Sequence, residues 1–264
     1  MRIALCVKKD IHGLLAARIL AERLQFADLR FFCSVKTRDA ENAVPALKIM
    51  KLLERDVAID TFATLETGFG QVPHPDEWTP LLDLKADGGA RQLLDFRPDL
   101  VISARFSLIF PQRVIDAVPR GIINVHPGAL PGYRGLFAPF WQILKREPVL
   151  GCTVHMVDRG IDTGPILGIA RVPFDPSRSL MAHTAALYRG GVTIAAEAAA
   201  TIARGGTPAG TRQPEGGHYY RFPAPEDLAA LPVPIVNAQD FAEVLSAAFP
   251  PREPAAAVRW SAAA

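Results

Sequence analysis

Short apolar runs alternate along this chain with longer segments whose apolar residues recur every three or four positions, and that alternation most narrows the folds open to it. Residues 2 to 7 read as a buried strand, Leu14, Leu15, Ile19 and Leu24 then repeat at helical spacing, and Leu29 to Val35 reads as a second strand. A helix is expected from Asp39 to Arg55, with Pro45 near its start, followed by a surface loop from Gly68 to Pro80. Gly89 to Phe96 and Pro111 to Val118 read as helices, and Leu100 to Ala104, Ile122 to Val125, Cys152 to Val157 and Ile166 to Val172 as strands. Leu180 to Ala203 reads as a long Ala-rich helix broken at Gly190 and Gly191, glycines that mark a bend or a close packing contact. Strand and helix in this order call for an α/β fold: a mainly parallel sheet with helices on both faces and ligands beyond the carboxyl ends of its strands.

The chain has 264 residues, 49% hydrophobic and 21% charged, which excludes global disorder, collagen-like repeats and coiled coil. A net charge of +2 is too small to announce a nucleic-acid partner. Three cysteines with no C-x-x-C spacing read as reduced, buried thiols, which predicts a cytoplasmic protein. The apolar run Ile3 to Val7 is too short for a signal-peptide core, and no run approaches the roughly 18 apolar residues of a membrane span.

After Gly205 the composition turns rich in Pro and Gly. Residues 1–210 are therefore expected to form the catalytic domain and 211–264 a short C-terminal appendage. The appendage holds one plausible helix, Ala238 to Ala248, and a low-complexity end from Pro250. Its four basic and six acidic residues make it a poor nucleic-acid arm.

Three constellations follow strands in the second half. In Asn124-Val125-His126-Pro127-Gly128, strand alternation puts an amide and an imidazole on one side of the chain, and Pro-Gly forces a turn. In Pro131 to Gly135, Arg134 is placed to anchor an anion or to staple the loop. Between Val157 and Pro165, Asp158 and Asp162 offer an acidic partner for His126. An Asn, a His and an Asp converging at a sheet's carboxyl edge suit acyl or formyl transfer without a covalent enzyme intermediate. The amide donates to the oxygen that becomes anionic, the imidazole donates or shuttles protons, and the carboxylate orients it.

The run Asn124 to Gly135, with Gly151-Cys152-Thr153-Val154-His155-Met156-Val157 and Asp162-Thr163-Gly164-Pro165-Ile166, strongly resembles the folate-dependent formyltransferase family. The resemblance is close over roughly residues 100 to 168 and looser over 1 to 220. It implies a Rossmann-like domain that moves a formyl group from 10-formyltetrahydrofolate, a co-substrate, to an amine without a metal. By motif position the catalytic residues are Asn124, His126 and Asp162. The resemblance also implies that Phe106, Ser107, Leu108, Ile109 and Phe110 line the pterin pocket, with Val157, Asp158, Gly160 and Ile161 closing its other side.

Departures from the family pattern narrow the branch. Gly128-Ala129-Leu130 stands where Ser-Leu-Leu is common, removing a hydroxyl able to brace the loop. The turn Lys8 to Gly13 lacks the glycine- and serine-rich pattern that holds the phosphate of glycinamide ribonucleotide, and only some fifty residues follow Gln213, too few for the barrel of the methionyl-tRNA branch. The expected partner is therefore a small-molecule amine: an amino sugar nucleotide, or an amino-acid-derived amine or hydroxylamine. No nucleic-acid or membrane partner is expected, and a homodimer is the candidate assembly. Hydrolysis of the formyl folate and non-catalytic folate binding are the alternatives.

Blander roles are expected elsewhere. His155 reads as a hydrogen-bonded core histidine, Trp78 as a hydrophobic cover and Tyr219-Tyr220 as packing for the appendage. His12, His74, His183 and His218 have no metal-ligand spacing, and Gly68-Phe69-Gly70 reads as a turn. Lys8 and Lys9 read as a solvated pair unless the acceptor carries a phosphate.

Overall fold

The computed structural model describes residues 1–35, 44–63 and 72–249. Strand β1 (Arg2–Lys8) runs into α1 (Ile11–Arg23), whose first turn is capped by Asp10: Oδ1 accepts from the Gly13 amide at 2.9 Å. Strand β2 (Asp28–Ser34) follows. Of the helix expected at 39 to 55, residues 39–43 lie outside the described ones. The remainder is α2 (Pro45–Lys51), a wider π-helical turn at Leu52–Val57, and α3 (Ala58–Ala63).

The expected surface loop ends differently. Residues 68–71, including the Gly68-Phe69-Gly70 turn, lie outside the described residues, but Pro75–Glu77 forms a 3₁₀ turn and Thr79–Leu81 an unforeseen strand, β3. Strand β3 pairs only with β2, and an edge place tolerates Pro80, which has no amide to give. Trp78 is the expected cover: it stacks on Phe31 with ring centres 5.6 Å apart, and its Nε1 donates to the Pro73 carbonyl at 3.1 Å.

The rest alternates as expected through α4 (Asp87–Leu94), β4 (Leu100–Ala104), α5 (Gln112–Ala117) and β5 (Ile122–His126). Then come a two-residue strand β6 (Arg134–Gly135), α6 (Ala138–Leu144), β7 (Val149–Met156), β8 (Ile166–Pro173) and α7 (Leu180–Ala203). The appendage supplies β9 (Tyr219–Tyr220), α8 (Pro225–Ala229) and α9 (Ala238–Ala248). Its end, residues 250–264, lies outside the described residues.

The seven-stranded sheet has the order β3-β2-β1-β4-β5-β7-β8. Strands β1 to β5 are parallel, while β7 runs antiparallel to both β5 and β8. Alternate residues of each strand face opposite cores. Ile3, Leu5, Ile123 and Val125 join α1, α7 and α9, whereas Ala4, Cys6, Val101 and Ile122 join α4 and α5. All three cysteines are free and buried, and burial pushes the thiols of Cys6 and Cys152 up.

Helix α7 is continuous through Gly190 and Gly191, a correction to the expected break. The glycines make the close packing contact that was the other expectation for them: a Cβ on Gly191 would sit 2.5 Å from Cys152 Sγ and 2.6 Å from Val125 Cγ1. Helix α9 docks the appendage on α1 and α7, placing Val244 and Ala248 in the main core. Asp240, 1% exposed, accepts from the Ser179 amide at 2.6 Å and pairs with Arg178 Nε at 2.8 Å.

Candidate active site

Strand β5 ends at His126, at the carboxyl edge of the parallel strands, and its pleat puts Asn124 and His126 on the same side as Ile122. Past His126 the chain turns back on itself. His126 Nε2 donates to the Tyr133 carbonyl at 2.6 Å, and only a glycine at 128 leaves room for that bond. A Cβ there would lie 2.6 Å from Nε2 and 2.5 Å from the carbonyl oxygen. The bracing hydroxyl absent from Gly128-Ala129-Leu130 comes from the neighbouring strand: Thr153 Oγ1 donates to the Gly128 carbonyl at 2.7 Å and accepts from the Leu130 amide at 3.1 Å.

With Nε2 committed to a carbonyl, Nδ1 of His126 faces Asp162 Oδ2 at 3.6 Å. Asp162 sits in the left-handed region at φ +55°, a conformation that costs a non-glycine residue about 1–3 kcal/mol and needs the surroundings to hold it. Burial alone would raise its carboxyl. The His126 charge and a hydrogen bond from the Gly135 amide at 2.8 Å outweigh that and hold it well below the usual carboxylate range. Asp158, the other acidic residue of this loop, braces it instead, accepting from Thr163 Oγ1 at 2.6 Å and the Gly160 amide at 3.0 Å.

His155 is the buried, hydrogen-bonded histidine expected, and it also touches the site. Its Nδ1 donates to the Met156 carbonyl at 2.8 Å, which leaves Nε2 to accept from the Asn124 amide at 3.2 Å, with Asp162 Oδ1 3.7 Å away. One hydrogen of the Asn124 amide is thereby engaged and its plane set, and the other remains for a ligand.

These groups open into a cavity of about 420 Å³, within the range of small-ligand sites. Phe106, Ser107, Leu108, Ile109 and Phe110 line one side, and Val157, Asp158, Gly160, Ile161 and Asp162 another, with Asn124, His126 and His155 between. Phe106 and Phe110 stack at 5.5 Å, and the Ser107 amide donates to Ser34 Oγ at 3.0 Å, tying this loop to the end of β2. Every residue expected in the catalytic set and the pterin pocket thus borders one space.

A second cavity of about 160 Å³ adjoins the first, sharing Arg105, Phe106, Phe137 and Tyr188 with it. Arg105, at φ +60°, binds Asp10 Oδ2 through Nε and Glu54 Oε2 through a terminal nitrogen, both at 2.9 Å. His12 Nε2 donates to the other Glu54 oxygen at 3.1 Å. Burial raises the Glu54 carboxyl, but the charges of Arg105 and His12 prevail and it is lowered. The lining carries four basic residues, Lys8, Lys51, Arg55 and Arg105, against two acidic ones, Asp10 and Glu54, so its formal charge is positive. Of the lysine pair, Lys9 is held outside this space by Asp76 at 2.6 Å. Arg134 staples its loop to the appendage, donating to Gln213 Oε1 and the Gly216 carbonyl, both at 3.0 Å.

The Arg105 cluster and the appendage contacts carry no local sequence signal, because their partners lie 42 or more residues apart. For His155 a signal existed: once β7 is laid antiparallel to β5, it pairs directly with Asn124.

A fold of this topology with an Asn, a His and an Asp at the carboxyl edge suits group transfer. Residues 73–195 match the family described as Formyl transferase. The match covers 123 of the 264 residues. The 4-N formyltransferase of Francisella tularensis superposes with a TM-score of 0.59 at 17% identity, over 95% of this chain and 89% of that one. The formyltransferase PseJ of Anoxybacillus kamchatkensis, in complex with UDP-4,6-dideoxy-4-formamido-L-AltNAc and tetrahydrofolate, gives 0.54 at 17%, over 91% and 97%. At such identities the likeness is one of fold. Among curated relatives, the methionyl-tRNA formyltransferase of Syntrophus aciditrophicus (strain SB) is 42% identical over 82 residues, 31% of this chain and 26% of that protein. In eight such methionyl-tRNA formyltransferases the aligned part spans 24% to 47% of the relative, so the chain covers less than half of their length. Among the described residues no helix is long and apolar enough to cross a membrane, and no group of three or more His, Cys, Asp or Glu is arranged to hold a metal ion.

Proposed function

We propose that the chain is an N-formyltransferase that takes the formyl group of 10-formyltetrahydrofolate to the amine of a small, anionic metabolite. The observation that carries this reading is the convergence of Asn124, His126 and Asp162 on one cavity whose other wall is apolar and aromatic. The residues fit a folate: a flat ring suits the slot beside the Phe106–Phe110 stack, and the donor supplies an activated formyl carbon with a nitrogen leaving group.

The acceptor amine must arrive neutral to attack. Asn124 donates its remaining amide hydrogen to the formyl oxygen as negative charge grows there, and His126 supplies a second hydrogen bond from its Nδ1 edge. Asp162, kept ionised, orients that edge and takes up the proton the amine gives away. The new C–N bond forms as the bond to the folate nitrogen breaks, and the proton passes to that nitrogen.

The adjoining cavity supports the acceptor class. Its aromatic walls and positive lining suit an amine linked to a phosphate or diphosphate, as in the sugar nucleotide held by the solved relative. The test is incubation of the purified protein with 10-formyltetrahydrofolate and, in separate arms, a UDP-linked 4-amino sugar, an amino acid, methionyl-tRNA or buffer alone. Tetrahydrofolate and formylated product are then measured. A formylated small amine is expected. Formate released as fast without an acceptor would assign hydrolysis, formylated methionyl-tRNA would replace the acceptor class, and tight folate binding with no turnover would sink catalysis.

A further inference from the structure

Residues 211–220 lie outside the matched family region, yet they hold Asp162 from two directions. From the main-chain side, the Thr211 amide and carbonyl exchange hydrogen bonds of 2.8 Å with Ile166, just beyond the loop. Two residues on, Gln213, 8% exposed, donates from Nε2 to the Asp162 carbonyl at 2.9 Å and the Gly164 carbonyl at 2.8 Å. Its two amide hydrogens meet two carbonyls and its oxygen accepts from Arg134, so every polar position of the side chain is used and its orientation is unambiguous.

From the carboxylate side, β9 pairs in parallel with β6, setting Arg134 against Tyr219 and Gly135 against Tyr220. The Arg134 amide donates to the His218 carbonyl and the Leu136 amide to the Tyr220 carbonyl, both at 2.9 Å. The Gly135 amide between them is left to donate to Asp162 Oδ2. One stretch of ten residues therefore grips the backbone of the loop and aims the amide that its carboxylate accepts. Arg134 joins the two grips.

We propose that Gln213 is a positioning residue for Asp162, clamping it in its left-handed conformation so that its carboxylate meets the Gly135 amide and the His126 ring. The functional weight of the proposal rests on Asp162 serving formyl transfer as argued above, although the clamp itself does not. Without the Gln213 amide the loop loses two carbonyl anchors and Arg134 loses a partner. The carboxylate then drifts from its donors and becomes easier to protonate.

The test titrates Asp162 directly. Aspartate carboxyl carbons are labelled with carbon-13 in wild type, Gln213→Ala, the similarly shaped Gln213→Met and the exposed neighbour Arg212→Ala, the Asp162 signal being assigned by its loss in Asp162→Asn. In wild type and Arg212→Ala it is expected to stay at its charged position down to acid unfolding. In both Gln213 variants it is expected to titrate near the ordinary aspartate value of about 3.9. Turnover of 10-formyltetrahydrofolate should fall about tenfold or more in these variants with the donor KM within about twofold, as for a misplaced catalytic group.

An Asp162 signal that stays charged in either folded Gln213 variant overturns the proposal. Failure of both to fold overturns it too, assigning Gln213 to the stability of the fold. Wild type that does not bind 5-formyltetrahydrofolate in calorimetry would sink the formyl-transfer reading and leave the titration readable.

Discussion

The Asn124 amide nitrogen and His155 Nε2 face each other at 3.2 Å across the ladder that joins β5 to β7, and the direction of that bond is decided by the other edge of the imidazole. Because Nδ1 donates to the Met156 carbonyl, Nε2 can only accept in the neutral ring, and Asn124 must present its NH₂. His155→Phe keeps the ring shape and removes both nitrogens. It is expected to lower turnover about tenfold or more with little change in the donor KM, and to cost about 1–3 kcal/mol of stability for the orphaned amide. Kinetics paired with chemical denaturation check this, and unchanged kcat in the folded variant would confine His155 to the core.

Asp162→Asn is expected to cut turnover about a hundredfold or more, since an amide cannot take up a proton as the carboxylate does. A stability signature accompanies it. The folded carboxyl lies below its unfolded value of about 3.9, so the ionised group stabilises the fold above that pH. The contribution is lost as pH falls from the unfolded value through the lower folded one. Urea midpoints at pH 7 should therefore favour wild type over the Asn variant, with the gap closing below about pH 4. An equal gap at both values would mean that Asp162 gains nothing from its charge.

Gly128→Ala would drive a methyl to 2.6 Å from His126 Nε2 and 2.8 Å from Ala138 Cβ. Backbone and ring must part, so a loss of about 1–3 kcal/mol and at least about a tenfold fall in turnover are expected. Gly132→Ala, whose new methyl would find only the Ala129 oxygen at 3.5 Å, is the control and should stay near wild type in both. Equal behaviour of the two variants would show that the His126 to Tyr133 bond does not depend on that glycine.

Thr153→Val removes the hydroxyl that braces the turn after His126 while keeping the side chain's shape. The Gly128 carbonyl and Leu130 amide would lose their partner, at a cost of about 1–3 kcal/mol. Thr153→Ser retains the hydroxyl and should recover most of that in a thermal melt. A valine variant as stable as wild type would mean that another group takes over both bonds.

The pocket loops show how far local pattern reaches. Phe106 to Phe110 follows β4, and Asn124 and His126 end β5, so each could be placed at the carboxyl edge from strand periodicity and a following turn. Strand β3 could not, because three residues containing a proline look like loop until β2 pairs with them. The α7 glycines were ambiguous for a related reason. In isolation they read as a break, a bend or a packing contact, and only the approach of Cys152 and Val125 decides for the contact.

By itself the sequence determined the alternating α/β plan and the two segments that carry Asn124, His126 and Asp162, which follow from periodicity and strand-end position, while the residues bordering the pocket were expected from the family resemblance. Tertiary structure decided the antiparallel placing of β7 that sets His155 against Asn124. It also decided the buried bonding of Arg105 to Asp10 and Glu54, and the return of Gln213 onto the Asp162 loop. The physical reason is that strand register and buried polar pairing are properties of segments brought together from far along the chain, satisfied only when the whole core closes.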